Sequence, residues 1–210
     1  GGYASAPIVF VAQCMGIPTV IQEQNSYAGL VNKIVGRRAK SVCVAYEGMG
    51  RFFDDDKVVM TGNPLRSAFG KGEIDRAAAF AHYGLQEGMP PILVVGGSLG
   101  PRTLNNMMKS WILTLGGEAP VQVVWQTGRF YEKEMREFLA NYPTKNITLV
   151  PFIDRMDYAY EVADVVISRS GACTVSELCL VAKPTIFVPS PNVSEDHQTK
   201  KAMALVGKGA

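Results

Sequence analysis

Ile92-Leu93-Val94-Val95-Gly96-Gly97-Ser98-Leu99-Gly100-Pro101-Arg102 runs from an apolar strand through a glycine-rich turn into the start of a long amphipathic helix. A strand that is apolar throughout must be covered on both faces, as strands of helix-flanked parallel sheets are. The glycines let a ligand approach the backbone, and the first turn of the following helix offers unpaired N–H donors. The helix dipole favours negative charge there, so a phosphate or diphosphate is the natural occupant, with Ser98 adding a hydroxyl. A ligand-free βα turn is the alternative, since a lone glycine-rich turn is weak evidence. The turn lacks the Lys-Ser/Thr pair of a P-loop and the full Gly-x-Gly-x-x-Gly spacing, which removes most support for a nicotinamide or flavin enzyme.

Outward from this stretch, short β-branched runs alternate with segments of helical spacing almost to the last residue, a pattern that predicts parallel α/β architecture. Strands are expected at Thr19 to Gln22, Ser41 to Tyr46, Val58 to Thr61, Ile92 to Gly96, Val121 to Gln126, Ile147 to Val150, Val165 to Ser168 and Thr185 to Val188. Helices are expected at Pro7 to Met15, Ala28 to Val35, Asp75 to Tyr83, Arg102 to Leu115, Tyr131 to Asn141, Asp157 to Ala163, Thr174 to Val181 and Glu195 to Val206. The rhythm is weakest where Gly62, Asn63, Pro64, Gly70 and Gly72 crowd together, which puts a domain boundary there and divides the chain into residues 1–62 and 63–210. The first part has too few strands to bury two sheet faces, so we expect a truncated domain.

A second strand-to-helix junction, Val165-Val166-Ile167-Ser168-Arg169-Ser170-Gly171-Ala172-Cys173-Thr174-Val175-Ser176-Glu177, repeats the geometry of the first. Ligands of open α/β sheets bind outside the carboxyl ends of the strands, so both helix starts are expected to face one crevice. Thr174 and Glu177 are three residues apart and share a helix face, so Glu177 could present both oxygens to the vicinal hydroxyls of a ribose. A solvated glutamate that complements the helix dipole is the plainer alternative. Gln22-Glu23-Gln24-Asn25 gathers polar side chains at a strand's carboxyl end, as a site would, or caps the next helix through Asn25 or Ser26. Asp196-His197-Gln198 could bond a sugar or simply cap a helix, and His82 reads as structural.

Composition narrows the function classes. The 21 Lys and Arg against 19 Asp and Glu leave a formal charge of +2, without the basic field that holds a nucleic-acid backbone. The cysteines Cys14, Cys43, Cys173 and Cys179 show no CxxC spacing, which suggests reduced thiols in a cytosol. No His and carboxylate set falls at metal-ligand spacing, no Gly-x-Ser-x-Gly elbow follows a strand, and no apolar run reaches the roughly 20 residues of a spanning helix. We therefore expect no metal, no cofactor and no nucleic-acid partner.

Several motifs fall in one order: Gly1-Gly2-Tyr3-Ala4-Ser5, Glu23-Gln24-Asn25 with Ala28-Gly29 and Asn32, Gly62-Asn63-Pro64-Leu65-Arg66, Gly96-Gly97-Ser98-Leu99-Gly100 with Leu104-Asn105, Phe152-Ile153, and Arg169-Ser170-Gly171-Ala172 with Ser176-Glu177. Together they resemble the MurG family, the peptidoglycan N-acetylglucosaminyltransferases of glycosyltransferase family 28. The resemblance implies GT-B architecture, with two Rossmann-like domains facing across a cleft. It also implies transfer of N-acetylglucosamine from its UDP carrier to undecaprenyl-diphosphate-linked N-acetylmuramoyl peptide, at the cytoplasmic face of the inner membrane. On that resemblance Gly97, Ser98 and Gly100 hold the diphosphate, Ile153 meets the uracil through its backbone and Glu177 takes the ribose hydroxyls. Arg66 offsets phosphate charge, Ser170 and Gly171 belong to the same binding set, and Asn105 and Gln198 lie near the diphosphate and hexose. Tyr3, Glu23 and Asn25 line the acceptor side, Glu23 as a helper to a base that should precede Gly1. Gln22 and Lys201 stand where the family often has His and where Asn is expected. The chain opens without Met, which reads as an internal fragment, inactive and marginally folded by itself. Another GT-B UDP-sugar transferase, a UDP-sugar epimerase, a non-catalytic nucleotide-sugar-binding module and a non-nucleotide interaction domain are the competing readings.

Overall fold

The computed structural model describes residues 4–65, 74–97 and 102–189, in two compact units, one ending at Leu65 and one within Arg66–Pro189. The expected helix from Glu195 to Val206 lies outside the described residues, as do Tyr3, Arg66, Ser98, Gly100, Gln198 and Lys201.

The first unit contains α1 (Ser5–Cys14), β1 (Val20–Glu23), α2 (Leu30–Gly36), β2 (Ser41–Val44) and β3 (Val58–Met60), with short 3-10 turns at Met49–Arg51 and Asp55–Lys57. Its strands are parallel in the order β1-β2-β3, with Ile21 beside Val42 and Val42 beside Val58. Because strand side chains alternate between faces, Ile21, Val42 and Val44 point the same way and pack with Val35, Met49 and Phe53 into one apolar cluster. Gly36 ends α2 against this cluster, and a Cβ there would come within 2.8 Å of the Phe53 ring. Helix α2 starts at Leu30, two residues later than the sequence predicts. Its N-cap is Gly29, and neither Asn25 nor Ser26 caps it.

The second unit contains α3 (Arg76–Tyr83), β4 (Pro91–Val95), α4 (Arg102–Ile112), β5 (Glu118–Gln126), α5 (Glu132–Asn141), β6 (Lys145–Val150), α6 (Met156–Val162), β7 (Val165–Ser168), α7 (Ala172–Val181) and β8 (Thr185–Phe187). Its five strands are all parallel in the order β6-β5-β4-β7-β8. Counted within the unit, that order is third, second, first, fourth, fifth, the doubly wound Rossmann arrangement. The apolar strands serve two layers at once, as their composition requires. Leu93, Val95, Val124 and Val166 face one core with Phe80, Tyr160 and Leu178. Val94, Val123 and Trp125 face the other with Leu104, Met108 and Met135. Asp75 caps α3 by accepting from the Ala78 N–H at 3.1 Å, and Gly84 closes that helix in the left-handed conformation.

Candidate functional site

The sheet of the second unit reverses its winding between β4 and β7. In a sheet of this order the crevice lies outside the carboxyl ends of the strands where the winding reverses. Val95 and Ser168, the last residues of the two strands, are register partners, so both glycine-containing turns leave the same edge side by side. Gly97 takes φ +77°, a conformation side chains disfavour, and a Cβ added there would meet nothing within 4 Å. Its backbone therefore borders open space. The neighbouring Gly96 N–H donates to Gln126 Oε1 at 2.9 Å, which anchors the turn to the end of β5.

A pocket of about 220 Å³ opens at this edge, lined by Gly97, Gln126, Phe152, Ile153, Tyr160, Thr174 and Glu177 among others. Gly97, Ile153 and Glu177, which the sequence singles out separately, thus share one cavity, as do Thr174 and Glu177 on one face of α7. Ile153 is buried, packed in the core cluster behind the pocket wall. Glu177 Oε2 accepts from the Tyr160 hydroxyl at 3.1 Å. At the rim the Arg129 guanidinium lies 4.8 Å from the centre of the Phe152 ring. Gly171 is the N-cap of α7, whose first-turn N–H groups point to the same edge. Among the described residues, no group of three His, Cys, Asp or Glu could hold a metal ion.

Other expected site residues hold different positions. Ser170, which precedes the N-cap of α7, is fully buried. Asn105, expected near the diphosphate, is 1% exposed: its Nδ2 donates to Thr127 O at 3.0 Å and its Oδ1 accepts from Trp125 Nε1 at 2.9 Å. Its amide fastens α4 to the end of β5. Arg169 Nη1 donates to the carbonyls of Val188 and Pro189, and burial pushes its guanidinium pKa down. In the first unit, Glu23 is 2% exposed and accepts from Asn25 N and Nδ2, Gly29 N and Asn32 Nδ2. These four hydrogen bonds brace the loop between β1 and α2. Asn25 belongs to the same bracing.

Neither Gln126 nor Tyr160 stands out in the sequence as a candidate site residue. A polar residue closing an apolar strand was the available signal for Gln126, while Tyr160 reads as an ordinary core aromatic.

Residues 91–210 match the family model described as the glycosyltransferase family 28 C-terminal domain, and residues 1–44 match the N-terminal domain model of the same family. The chain belongs to glycosyltransferase family 28. A family 28 relative in Parabacteroides distasonis, named UDP-N-acetylglucosamine–N-acetylmuramyl-(pentapeptide) pyrophosphoryl-undecaprenol N-acetylglucosamine transferase, is 51% identical over all of this chain and 57% of its own length. The crystal structure of Acinetobacter baumannii MurG matches with a TM-score of 0.70 at 32% identity, over 100% of this chain and 56% of that one. A UDP-GlcNAc 2-epimerase from Neisseria meningitidis, solved bound to UDP-GlcNAc, matches with a TM-score of 0.67 over 93% of this chain and 58% of that one. At 14% identity it shares the fold alone. The chain spans a little over half the length of the curated relatives it matches. Its fold is of the family's GT-B type, two Rossmann-like parts each built on a parallel sheet.

Proposed function

We propose that this chain carries the donor-binding machinery of an inverting glycosyltransferase. The enzyme moves N-acetylglucosamine from UDP-N-acetylglucosamine to undecaprenyl-diphosphate-linked N-acetylmuramoyl-pentapeptide, a step of peptidoglycan synthesis. The observation that carries the reading is that Gly97, Ile153 and Glu177 line one pocket where the sheet's winding reverses. The names of relatives near 50% identity support the choice of donor and acceptor.

The pocket's volume is below the roughly 300–1,000 Å³ of sites that enclose a whole drug-sized ligand, which suits one moiety of a larger donor. In this reading the uracil meets the Ile153 backbone, the ribose diol meets Glu177, and the diphosphate lies across the turn at Gly97 and the start of α7. Ser98, Gly100 and Arg66 complete the diphosphate contacts, with Gln198 toward the hexose. As the glycosidic bond breaks, UDP gains negative charge, and fixed N–H dipoles stabilise that charge without reorganising; one such donor contributes on the order of 2.7–4 kcal/mol in well-studied enzymes. Inversion requires a base on the opposite face to take the acceptor hydroxyl proton. Glu23 and Asn25 are structural in this reading and supply no base. A lipid-anchored acceptor and a charged, water-soluble donor meet only at an interface, so the protein works peripherally at the cytoplasmic face of the inner membrane.

Calorimetric titration of UDP into the chain tests the donor site. We expect saturable binding that Glu177→Ala weakens at least tenfold, about 1.4 kcal/mol. Absence of UDP binding to the folded chain would sink the reading.

A further inference from the structure

We infer that Tyr160 is a positioning residue that sets the orientation of the Glu177 carboxylate and thereby the preference of the site for a ribose over a deoxyribose nucleotide. The inference rests on the donor-site reading above and deepens it. Tyr160 lies on α6 and is only 2% exposed, its ring packed in the core cluster with Leu93, Val95 and Leu178. Its phenol oxygen emerges from that core at the pocket wall and donates to Glu177 Oε2 at 3.1 Å. The donor is thus held by close packing of its own ring, while the acceptor sits on a flexible side chain with three rotatable bonds.

A vicinal diol presents two hydroxyl donors at fixed separation, and a carboxylate meets both only when its plane is turned toward them. A hydroxyl bonded to an ionised oxygen is a strong, directional contact. It restricts the carboxylate to rotamers that keep Oε2 against α6, which lowers the ordering required when the ligand arrives. Acting through Glu177, Tyr160 should have an effect that scales with the number of hydroxyls Glu177 meets. Removing the phenol oxygen and keeping the ring leaves the core filled.

The test compares UDP with 2′-deoxy-UDP by calorimetric titration in the wild-type chain, Tyr160→Phe, Glu177→Gln and the double variant. The wild type should prefer UDP. Tyr160→Phe should weaken UDP about tenfold, the usual scale for a hydrogen bond to a charged group. Its affinity for 2′-deoxy-UDP, which offers Glu177 one of the two hydroxyls, should fall by less than that for UDP, so that the preference narrows. In the Glu177→Gln background the Tyr160 substitution should cost little further. The melting temperature of ligand-free Tyr160→Phe reports whether the core survives, and we expect it within a few degrees of wild type. An unchanged preference in Tyr160→Phe would overturn the inference while leaving the donor site intact. Equal loss for both nucleotides would overturn it too, since that marks general damage to the pocket. A wild-type chain that binds neither nucleotide would overturn the donor-site reading itself.

Discussion

Four N–H donors converge on the Glu23 carboxylate at 2.9 to 3.0 Å, two from Asn25 on Oε1 and one each from Gly29 and Asn32 on Oε2. The last two explain why α2 begins where it does, because the carboxylate satisfies the N–H of its N-cap residue from six positions upstream. Asn32, 5% exposed, also donates to Gln22 O at 3.1 Å and so ties the helix back to β1. Replacing Glu23 by Gln keeps the shape and puts an NH2 group where an acceptor oxygen stood. Whichever way the amide turns, two donors then face another donor. We expect Glu23→Gln to destabilise the first unit by about 3 kcal/mol, the scale for losing hydrogen bonds to a buried charged group. Faster hydrogen exchange across residues 20–60, with UDP affinity unchanged, is the expected measurement. Wild-type exchange with reduced affinity would instead return Glu23 to the binding machinery.

The junction between β6 and α6 carries the clearest pH-sensitive contact at the scale of an element. Arg155 Nε donates to Asp157 Oδ1 at 3.0 Å and Arg155 Nη2 to Oδ2 at 2.7 Å, while the guanidinium lies 3.6 Å from the centre of the Tyr158 ring. The hydrogen bonds from Arg155 hold the Asp157 carboxyl below the ordinary carboxylate range. A group whose folded pKa is depressed contributes stability that is complete above its unfolded pKa of about 3.9 and is lost as the pH falls through the lower folded value. Asp157→Asn should therefore leave a protein whose stability depends less on pH below about 4, measured by urea unfolding at a series of pH values. A wild-type slope in the variant would show that the contact does not report on folding. Elements were also the scale at which the sequence was most legible. The mostly apolar runs of β4, β5 and β7 fit strands covered on both sides, and the glycine turns after β4 and before α7 lie at the sheet edge where the pocket opens. Boundaries were less legible because they depend on partners distant in sequence. The start of α2 follows from the reach of Glu23, and no local pattern announces that. The same holds for the hydrogen bonds of Asn105 to the buried Trp125 N–H and the Thr127 carbonyl, partners 20 and 22 residues away that no local pattern announces.

The two units differ in what their sheets can bury, and this shapes how the whole molecule should respond to a nucleotide. The five-stranded sheet has apolar clusters on both faces, whereas the described core of the first unit lies on one face of three short strands. Both tryptophans, Trp111 and Trp125, lie in the five-stranded unit, and Trp125 is fully buried with its indole N–H bonded to Asn105. Tryptophan fluorescence during urea unfolding therefore reports on the unit that contains the proposed donor site and is silent for the other. A ligand that binds only the folded unit stabilises it by RT ln(1 + [L]/Kd), about 2.7 kcal/mol at one hundred times Kd. With UDP at that excess, the fluorescence midpoint should move to higher urea by 2.7 kcal/mol divided by the denaturant slope, at unchanged slope. Glu177→Ala, its Kd raised at least tenfold, should retain about 1.4 kcal/mol or less of that gain at the same UDP concentration. A midpoint that ignores UDP, in a protein whose calorimetric titration shows binding, would mean that the nucleotide sits outside the unit bearing Gly97 and Glu177.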